Sequence, residues 1–338
     1  MGALTRSTDI PPVVNAWFHK DLLLRVVPML HHGKVAARKP LPGRNTKTII
    51  FRRLEPLALA TTPLVEGVPP QGSRITYTDV SSVVKQYGDY TALTDFMQAI
   101  IEHPILMDAN KILGEQASQT IDALMRDVFV AGTSVFYGGN ETQRSDLTAV
   151  DNIVDEAILQ RAVRFLLTQN ARMFTRTITA TDKVSTTPVR PAFWAITSPE
   201  VLFNLEGLTE WIPAEKYASQ GPLMDGEVGA YRNIRFLIST QAKKYLGGGG
   251  TAVGDVQSTS SNADVHTILI FGQEAVATVP LDNMSFENII HPKGSGGVYD
   301  PLNQFGTSGW KRTGTELILN DNFMTRLEVT VSSVDPTP

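Results

Sequence analysis

The sequence contains no cysteine, so disulfides, thiolate zinc sites and cysteine nucleophiles are all excluded. It also lacks a long apolar run: none approaches the roughly 18 residues that a membrane helix needs. The opening residues, MGALTRSTDIPPVVNAWF, contain no apolar core of the kind found in a secretory signal. We therefore expect a soluble, cytoplasmic protein with no membrane partner.

A strong excess of either charge is missing as well. The 338 residues carry a formal net charge of -4, and proteins that read DNA directly usually have a basic domain. Strong sequence-specific DNA binding is therefore not expected. Hydrophobic residues make up 42% and charged residues 19%, which is typical of a folded protein with a substantial core and not of a disordered one.

The sequence has no motif typical of an enzyme. GVPPQGSR (67–74) resembles a phosphate loop, but Ser73 and Arg74 stand where lysine and serine or threonine are needed. GGGGTAVG (247–254) opens no helix, Gly-x-Ser-x-Gly is absent, and the six histidines lack metal-ligand spacing. We predict no catalytic residue, no metal site and no cofactor.

Residues 46–90 form a long β-rich stretch. TIIFRRL (48–54) favours a strand, and RITYTDVSSVVKQY (74–87) alternates for about a dozen positions, with prolines and glycines between the two. Neither face of the alternation is cleanly apolar, and an isolated hairpin is marginally stable in water. The two segments predict an extended ribbon that needs a partner surface.

Two amphipathic helices follow the ribbon. Apolar residues recur every three or four positions over about six turns, which predicts a helix of roughly 40 Å at 103–132. A second helix is predicted from Asp151 to Asn170, with Asp151 as its N-cap and Asp155 and Glu156 on its solvated face. The two apolar stripes contain Leu106, Ala109, Leu113, Ala117, Ile121, Leu124 and Val128, and then Val154, Ile158, Ala162, Phe165 and Leu166.

The second half of the chain is β-rich with short helices. The patterns predict a buried strand (RPAFWAI), a capped helix (SPEVLFNLEG), one strand (GAYRNIRFLIST), and a closing strand pair that turns at 320–322 (TELILNDNFMTRLEVTVS). Glycine and serine dominate 243–266, which predicts a mobile loop. Prolines interrupt 1–46, which is interpreted as a solvated, extended arm, with an arm that lies across a neighbouring subunit as the alternative.

Four stretches, taken in order, resemble one family: LATTPLVEGVPPQG with VVKQYGDYTALTD, then ILGEQASQTIDALMRDVFVAGTSV, DGEVGAYRNIRFLIST and SGGVYDPLNQFGTSGWK. They are similar to the major capsid proteins of tailed bacteriophages, and most similar to the members from short-tailed phages. The resemblance covers residue 46 to about residue 330. It is carried by the order of the four stretches more than by any one of them.

The resemblance implies the α+β Hong Kong phage capsid fold. That fold has a peripheral domain built on a long spine helix and an axial domain at the capsomer centre. An N-terminal arm and an extended β-ribbon, called the E-loop, project from the peripheral domain. Carried over, these parts are an arm at 1–46, an E-loop at 47–90, a peripheral domain at 91–190 and 281–338 with its spine helix at 103–132, and an axial domain at 191–280. The 243–262 segment would lie near the symmetry axis.

The resemblance also implies a function. Copies of the chain would assemble into the hexamers and pentamers of an icosahedral or prolate head that encloses double-stranded DNA, formed in the host cytoplasm. The sequence shows no N-terminal scaffolding segment, so the expected partners are a separate scaffolding protein, a portal and a decoration protein. Weak, non-specific DNA contact is expected from a basic cluster on the arm: Arg38, Lys39, Arg44 and Lys47.

Contacts between subunits are expected on the ribbon, where charge pairs would favour register over raw affinity. Glu66, at the tip, is expected to pair with a basic residue of the adjacent subunit. The full set of predicted assembly contacts is Arg52, Arg53, Glu55, Glu66, Gly67, Arg74 and Lys85.

The glycine-rich stretch GSGGVYDPLNQFGTSGWKR (294–312) is interpreted as a structural loop that re-enters the peripheral domain, with a contact between subunits as the alternative. Asp300 would start a turn and Pro301 would fix φ at its next position. Gly306 and Gly309 would allow backbone geometries that a β-carbon forbids, and Trp310 would be a buried anchor.

Three other functions stay open at this point. An encapsulin is a shell of the same fold that packages enzymes, and it would need an inner pocket for a cargo peptide. A β-rich hydrolase would need a nucleophile with an activating base, which the sequence does not supply. An oligomeric scaffold of unknown use is the third.

Overall fold

The computed structural model describes residues 30–43, 46–64, 66–67, 69, 72–94, 105–174, 191–217, 224–282, 284–292 and 301–333. Its helices are α1 (His32–Val35), α2 (Ile105–Val130), α3 (Glu156–Thr168) and α4 (Pro199–Glu206). Its first nine strands are β1 (Ala37–Arg38), β2 (Thr48–Leu54), β3 (Tyr77–Val83), β4 (Lys85–Thr94), β5 (Val135–Tyr137), β6 (Phe193–Thr197), β7 (Trp211–Pro213), β8 (Glu227–Tyr231) and β9 (Ile234–Ile238). The others are β10 (Lys244–Tyr245), β11 (Ser258–Thr259), β12 (Asn262–Ala263), β13 (Val265–Phe271), β14 (Val276–Pro280), β15 (Phe286–His291), β16 (Phe305–Ile318) and β17 (Met324–Val329).

An eight-stranded sheet forms the centre of the molecule. Its order is β5-β17-β13-β6-β9-β8-β7, and β10 pairs with β13. Every residue of β6, β9 and β13 is buried, because helices cover both faces of the sheet. One face packs against α3 and α4 around Phe193 and Phe236, and the other packs against α2 around Trp194 and Phe271. The buried strand predicted in RPAFWAI is confirmed.

A five-stranded sheet lies beside it, built around the 14-residue strand β16. β4 pairs along one edge of β16 from Lys85 to Thr94, and β14 and β15 share the other edge. β1 then adds to β14 in parallel. Helix α2 packs on β16 through Leu113, Ala117 and Trp310, so the helix spans both sheets.

The long helix is confirmed as α2, whose 26 residues extend about 39 Å. Its apolar stripe is correct in the first half, where Leu113 and Ala117 are buried. In the second half the most buried side chains are Asp122, Met125, Phe129 and Val130, and the predicted Ile121, Leu124 and Val128 are only half-buried. The helix therefore presents a slightly rotated face to the eight-stranded sheet, with a carboxylate inside it.

The second helix begins later than expected. α3 starts at Glu156, and the carboxylate of Asp155 accepts a 2.8 Å hydrogen bond from the Ile158 amide, so Asp155 is the N-cap. The prediction of Asp151 as the cap is wrong, because 150–152 form a separate 3-10 turn. Asp155 is exposed, as expected of a solvated acid, and caps the helix as well. The inner face is confirmed: Val154, Ile158, Ala162 and Leu166 are buried.

The described part of the arm is not solvated. His32 is fully buried, and Asp122 accepts hydrogen bonds from its backbone amide at 2.9 Å and lies 2.7 Å from its Nδ1. Lys34 pairs with Asp225 at 3.1 Å, and the side chain of Leu41 is buried beside β14. A solvated arm is therefore wrong for residues 30–43, which pack on the body of their own chain.

The glycine-rich stretch is ordered into short ladders instead of a mobile loop. β10 pairs with β13, and β11 pairs with β12. The amides of Gly249 and Gly250 donate to carbonyls of Ala263 and Leu147, and a β-carbon at Gly249 would collide with the Leu147 carbonyl. The glycines let the backbone of 247–250 lie close to residues 144–148. The segment is therefore rich in glycine because of this packing, although its composition resembles that of a flexible linker.

Two strand patterns have a different topology from the one predicted. GAYRNIRFLIST is a hairpin of β8 and β9 with a left-handed residue, Arg232, at its turn. The strands on either side of 320–322 do not pair with each other: β16 lies in the five-stranded sheet and β17 in the eight-stranded one. The four-part domain division remains a prediction, and its boundary at 280/281 does not follow the sheets, since β14 pairs with β16.

Among the described residues, no helix combines the length and the apolar character needed to cross a membrane.

Candidate assembly interface

The ribbon is a two-stranded sheet of β2 and β3 that projects from the five-stranded sheet. Seven residue pairs form its antiparallel ladder, from Thr48 opposite Val83 to Leu54 opposite Tyr77. Between Leu54 and Tyr77 the described residues form no strand. The extended ribbon predicted for 47–90 is therefore present over 48–83, and its connecting tip is an irregular segment.

The base of the ribbon is anchored to its own chain. Ile49, Phe51, Val80 and Val84 pack on the buried cluster that contains Leu41, Ala277, Val279 and Leu317. A 2.8 Å hydrogen bond joins the hydroxyls of Ser82 and Thr315, and the Val84 amide donates to the Lys47 carbonyl. One face of the ribbon thus has its apolar partner within the same molecule, but only near the base.

The opposite face of the ribbon carries large apolar side chains in solvent. Ile50, Leu54 and Tyr77 lie on it and are 59%, 63% and 56% exposed. Leu54 and Tyr77 are cross-strand neighbours, and the Arg52–Asp79 ion pair lies between them and Ile50 on the same face. Large apolar side chains left exposed close together often mark a binding site. This face is therefore a candidate for contact with another molecule.

The tip continues the apolar surface. Leu57, Leu59, Leu64 and Ile75 are all more than half exposed, and Leu59 reaches 88%. Sequence reasoning concentrated on the charges of this segment and missed its leucines. The signal was present: LEPLALATTPLVEG supplies a leucine every few residues where prolines prevent a strand or helix that could bury them.

Three of the predicted contact residues are paired within the ribbon itself. Arg52 donates two hydrogen bonds to Asp79, at 2.8 and 2.9 Å. Arg53 pairs with Glu55 at 3.0 Å, and the Thr78 hydroxyl donates to Glu55 at 2.6 Å. The bond from Arg52 lowers the pKa of Asp79, and the bonds from Thr78 and Arg53 lower the pKa of Glu55. The Arg52–Asp79 pair and the Thr78–Glu55 bond join the two strands, and Arg53 is held by Glu55, so these charges are less available to a neighbour than the sequence suggested.

The other predicted contacts divide between tip and sheet. Glu66 and Arg74 are exposed and form no ion pair with any residue that the structure describes. Gly67 has a left-handed φ of 81°, a conformation that favours glycine. Lys85 is not on the ribbon: the chain changes partner at Val84, and Lys85 begins β4 opposite Gly314. Its expected position on the ribbon is therefore wrong, and its role as an assembly contact stays a prediction.

The structure describes 301–312 of the predicted closing loop, and most of this part is strand. Asp300 lies outside the described residues, Pro301 lies in a turn, and Gly306, Gly309 and Trp310 belong to β16. Gly309 has no left-handed φ; its role is to let β4 approach, because a β-carbon there would lie 2.7 Å from Cβ of Tyr90.

Trp310 is the buried anchor that the sequence predicted. It is 5% exposed, packs against Leu113 and Ala117 of α2, and stacks on Phe286 with the ring centroids 6.3 Å apart. Its indole N–H donates to Gln116 Oε1 at 3.2 Å. The tryptophan therefore joins α2 to the five-stranded sheet, which carries the ribbon.

The described residues offer no convincing reaction centre. No group of three or more metal-ligating side chains occurs among them. Ser198 Oγ lies 2.9 Å from His266 Nδ1 and Glu200 lies 4.0 Å from the same nitrogen, which resembles a hydrolase arrangement. Both Ser198 and His266 are buried, however, so no substrate reaches the hydroxyl. Burial lowers the pKa of His266 to about 4, so the imidazole is a neutral partner of the serine.

Comparison with known proteins agrees with this architecture. A family model described as phage capsid protein matches residues 77–283. The major capsid protein of Pseudomonas phage KPP21 is 25% identical over 204 residues, which is 56% of this chain and 51% of that protein. The chain thus spans about half the length of this curated relative.

Solved phage capsids have the same fold. The capsid of Ralstonia phage GP4 superposes with a TM-score of 0.66 at 12% identity and covers 100% of both chains. The capsid of cyanophage P-SCSP1u gives 0.63 at 13% identity over 93% of this chain and 92% of that one. The cyanophage Pam1 capsid gives 0.63 at 12% identity over 97% and 99%. The α+β capsid fold predicted from the sequence is confirmed.

The special similarity to short-tailed phages stays a prediction. The broader assignment does not depend on it, because the family model spans well over half of the sequence and includes both β3 of the ribbon and the whole of α2. The chain belongs to the phage capsid protein family.

Proposed function

We propose that this chain is a major capsid protein whose copies assemble into the hexamers and pentamers of a phage head around double-stranded DNA. One observation carries the proposal: a ribbon anchored at its base exposes Ile50, Leu54 and Tyr77 on its outer face and a leucine-rich tip to solvent. Such a surface is explained if it lies on a neighbouring copy. The phage capsids to which the chain is similar support a head over a shell that packages enzymes.

The mechanism is assembly through different surfaces of the same chain. The ribbon and the body are different surfaces, so a contact between the ribbon of one copy and the body of the next is heterologous. Repeated by rotation about a symmetry axis, this contact closes a ring of copies. Each contact can be modest, because a subunit held at several surfaces gains avidity. The ion pair of Arg52 with Asp79 and the hydrogen bond from Thr78 to Glu55 keep the ribbon in register for this contact.

The test is assembly of the purified chain, followed by size-exclusion chromatography and electron microscopy. Leu59→Glu places a charge at the most exposed leucine of the tip and is expected to abolish assembly while leaving the melting temperature of the free chain unchanged. Val253→Glu is the matched control, at an apolar residue 59% exposed outside the ribbon. A wild-type chain that stays monomeric at high concentration, or a Leu59→Glu chain that assembles normally, contradicts the proposal.

Glu66 is proposed to pair with a basic residue of the adjacent subunit. It lies beside the left-handed Gly67, exposed and without an ion pair among the described residues. Glu66→Lys is expected to reduce the yield and stability of heads more than Glu66→Gln, which keeps the shape of the side chain. If both variants form heads with unchanged yield and stability, the proposed pairing of Glu66 is wrong.

The remaining parts of the function are proposals of the same kind. The arm, E-loop, peripheral domain and axial domain are proposed at the ranges given above. A separate scaffolding protein, a portal and a decoration protein are proposed partners, and the assembled virion is the proposed location. Weak DNA contact is proposed for the basic arm, although Lys39 already pairs with Glu274 at 3.4 Å.

A further inference from the structure

An open groove of about 880 Å³ lies between α3 and the turn that joins β8 to β9. Arg161 and Arg164 of α3 and Arg232 of the turn contribute its charge, while apolar side chains such as Leu167 line the wall. No carboxylate lines the groove. Its chemistry suits an occupant that is both apolar and acidic.

The three arginines are engaged to different extents. Arg161 donates to Asn140 Oδ1 at 2.8 Å and lies over the Phe136 ring. Arg232 is held by Glu210, outside the groove lining, and this bond raises its pKa. Arg164 is exposed and forms no ion pair with any residue that the structure describes. Arg164 is thus the free cation of the groove.

A surface of the complementary kind lies on α4. Phe203 is 48% exposed, and Glu206 follows it by three positions, so the two side chains share one face of the helix. Glu206 is exposed and has no ion pair within the described part of the chain. The helix therefore offers an aromatic side chain and a free carboxylate about one turn apart.

We propose that the groove binds the Phe203–Glu206 face of α4 from a second copy of this chain, with Glu206 paired to Arg164 and Phe203 packed near Leu167. The inference rests on the proposed assembly function and adds a specific contact to it. Because groove and α4 face are different surfaces, the contact is heterologous: each copy binds the next one and leaves a groove and a face free. The series closes into a ring when the rotation between successive copies brings the last one back to the first. The apolar wall favours a protein occupant over the phosphate backbone of nucleic acid.

Disulfide trapping tests the contact directly, because the natural chain has no cysteine. A Leu167→Cys, Phe203→Cys double variant, assembled and then oxidised with copper phenanthroline, is expected to give a ladder of trimers and larger species in a non-reducing gel. Each single variant is the control and should give at most dimers. A double variant limited to monomers or dimers overturns the proposal, as does a disulfide mapped within one chain.

Charge reversal tests the ion pair. Arg164→Glu and Glu206→Arg are each expected to raise the concentration needed for assembly by roughly tenfold or more through like-charge repulsion. The double reversal should restore wild-type assembly. Lys216→Glu, at an exposed cation outside the groove, is the matched control. Circular-dichroism melting of each unassembled variant checks that the fold is intact.

The outcomes separate this contact from the assembly function itself. A wild-type chain that never assembles contradicts the proposed function. A chain that assembles equally well with Arg164→Glu contradicts only the groove contact. Failure of the double reversal to restore assembly overturns Glu206 as the partner of Arg164.

Discussion

Trp310 is the side chain whose removal tests most directly how the ribbon is supported. It is 5% exposed, stacks on Phe286, packs on Leu113 and Ala117, and bonds to Gln116. Trp310→Ala removes these contacts and leaves a cavity between α2 and β16, which typically costs about 3–5 kcal/mol. Trp310→Phe keeps most of the apolar contact and loses the indole hydrogen bond, which is worth about 1 kcal/mol.

These free energies convert into a measurable change of melting temperature. An unfolding entropy of about 2.1 cal/mol/K per residue gives roughly 0.7 kcal/mol/K for 338 residues. Trp310→Ala should therefore lower Tm by about 4–7 °C, and Trp310→Phe by about 1–2 °C. Both values apply to the unassembled chain, because assembly adds stability that depends on concentration.

Differential scanning calorimetry below the assembly concentration is the appropriate assay. Assembly of the same variants is then measured separately, since a weakened attachment of the five-stranded sheet to α2 should also reduce the yield of shells. A Trp310→Ala chain that melts within about 1 °C of wild type would refute the argument. So would equal losses for alanine and phenylalanine, because the cavity would then contribute nothing.

Three further changes probe other contacts. Gly309→Val places a side chain where β4 passes and should lower the free energy of unfolding by about 1–3 kcal/mol. Gly114→Ala, on the exposed side of α2, should raise the free energy of unfolding by about 1 kcal/mol. Thermal melting measures both changes. Glu328 is buried and pairs with the partly exposed Arg144, whose nitrogens lie 2.6 and 2.7 Å from its oxygens, and with Arg326 at 2.9 Å. Glu328→Gln weakens both pairs and should cost about 3 kcal/mol in the same assay. Burial lowers the pKa of His266 to about 4 from its ordinary 6.5, so between these values the unfolded chain binds the proton and the folded chain does not. Stability should therefore fall as pH drops from about 6.5 to 4, and His266→Gln should flatten this slope in urea titrations; an unchanged slope would assign it to other groups.

The sequence was informative where local periodicity determines the structure. The spacing of Leu113 and Ala117 places one face of α2 on the sheet, and the hydrophobic run around Phe193 marks a fully buried strand. Trp310 could be recognised as an anchor because a tryptophan in a polar, glycine-rich stretch has few roles other than packing. Its strand conformation could not be recognised, because the glycines that suggested a loop serve the close pairing of β4 with β16.

The sequence was uninformative where partners are far apart in the chain. Asp122 interrupts the apolar stripe of α2. Its burial is explained by His32, which is 90 residues away and donates its backbone amide to the Asp122 carboxylate. Arg144 pairs with Glu328, which is 184 residues away, and the residues next to either one in the sequence do not indicate this pairing. The same limit applies to the assembly surface: Arg52 was expected to be available to a neighbour, but Asp79 on the adjacent strand already pairs with it.

The anchored base and the exposed tip of the ribbon together determine how far one subunit can reach. The seven-pair ladder of β2 and β3 is about 23 Å long at 3.3 Å per residue. Extending the chain fully from Thr48 to Glu66 sets an upper bound of about 60 Å. A compact chain of 338 residues has a radius of gyration of about 20 Å, so the ladder alone is about as long as that radius. Because Ile49 and Phe51 share one buried cluster with Leu41 of the arm, a shift of either segment must repack the other. The direction of the ribbon is therefore coupled to the position of the arm residues near Leu41, and a change in either one has to move both.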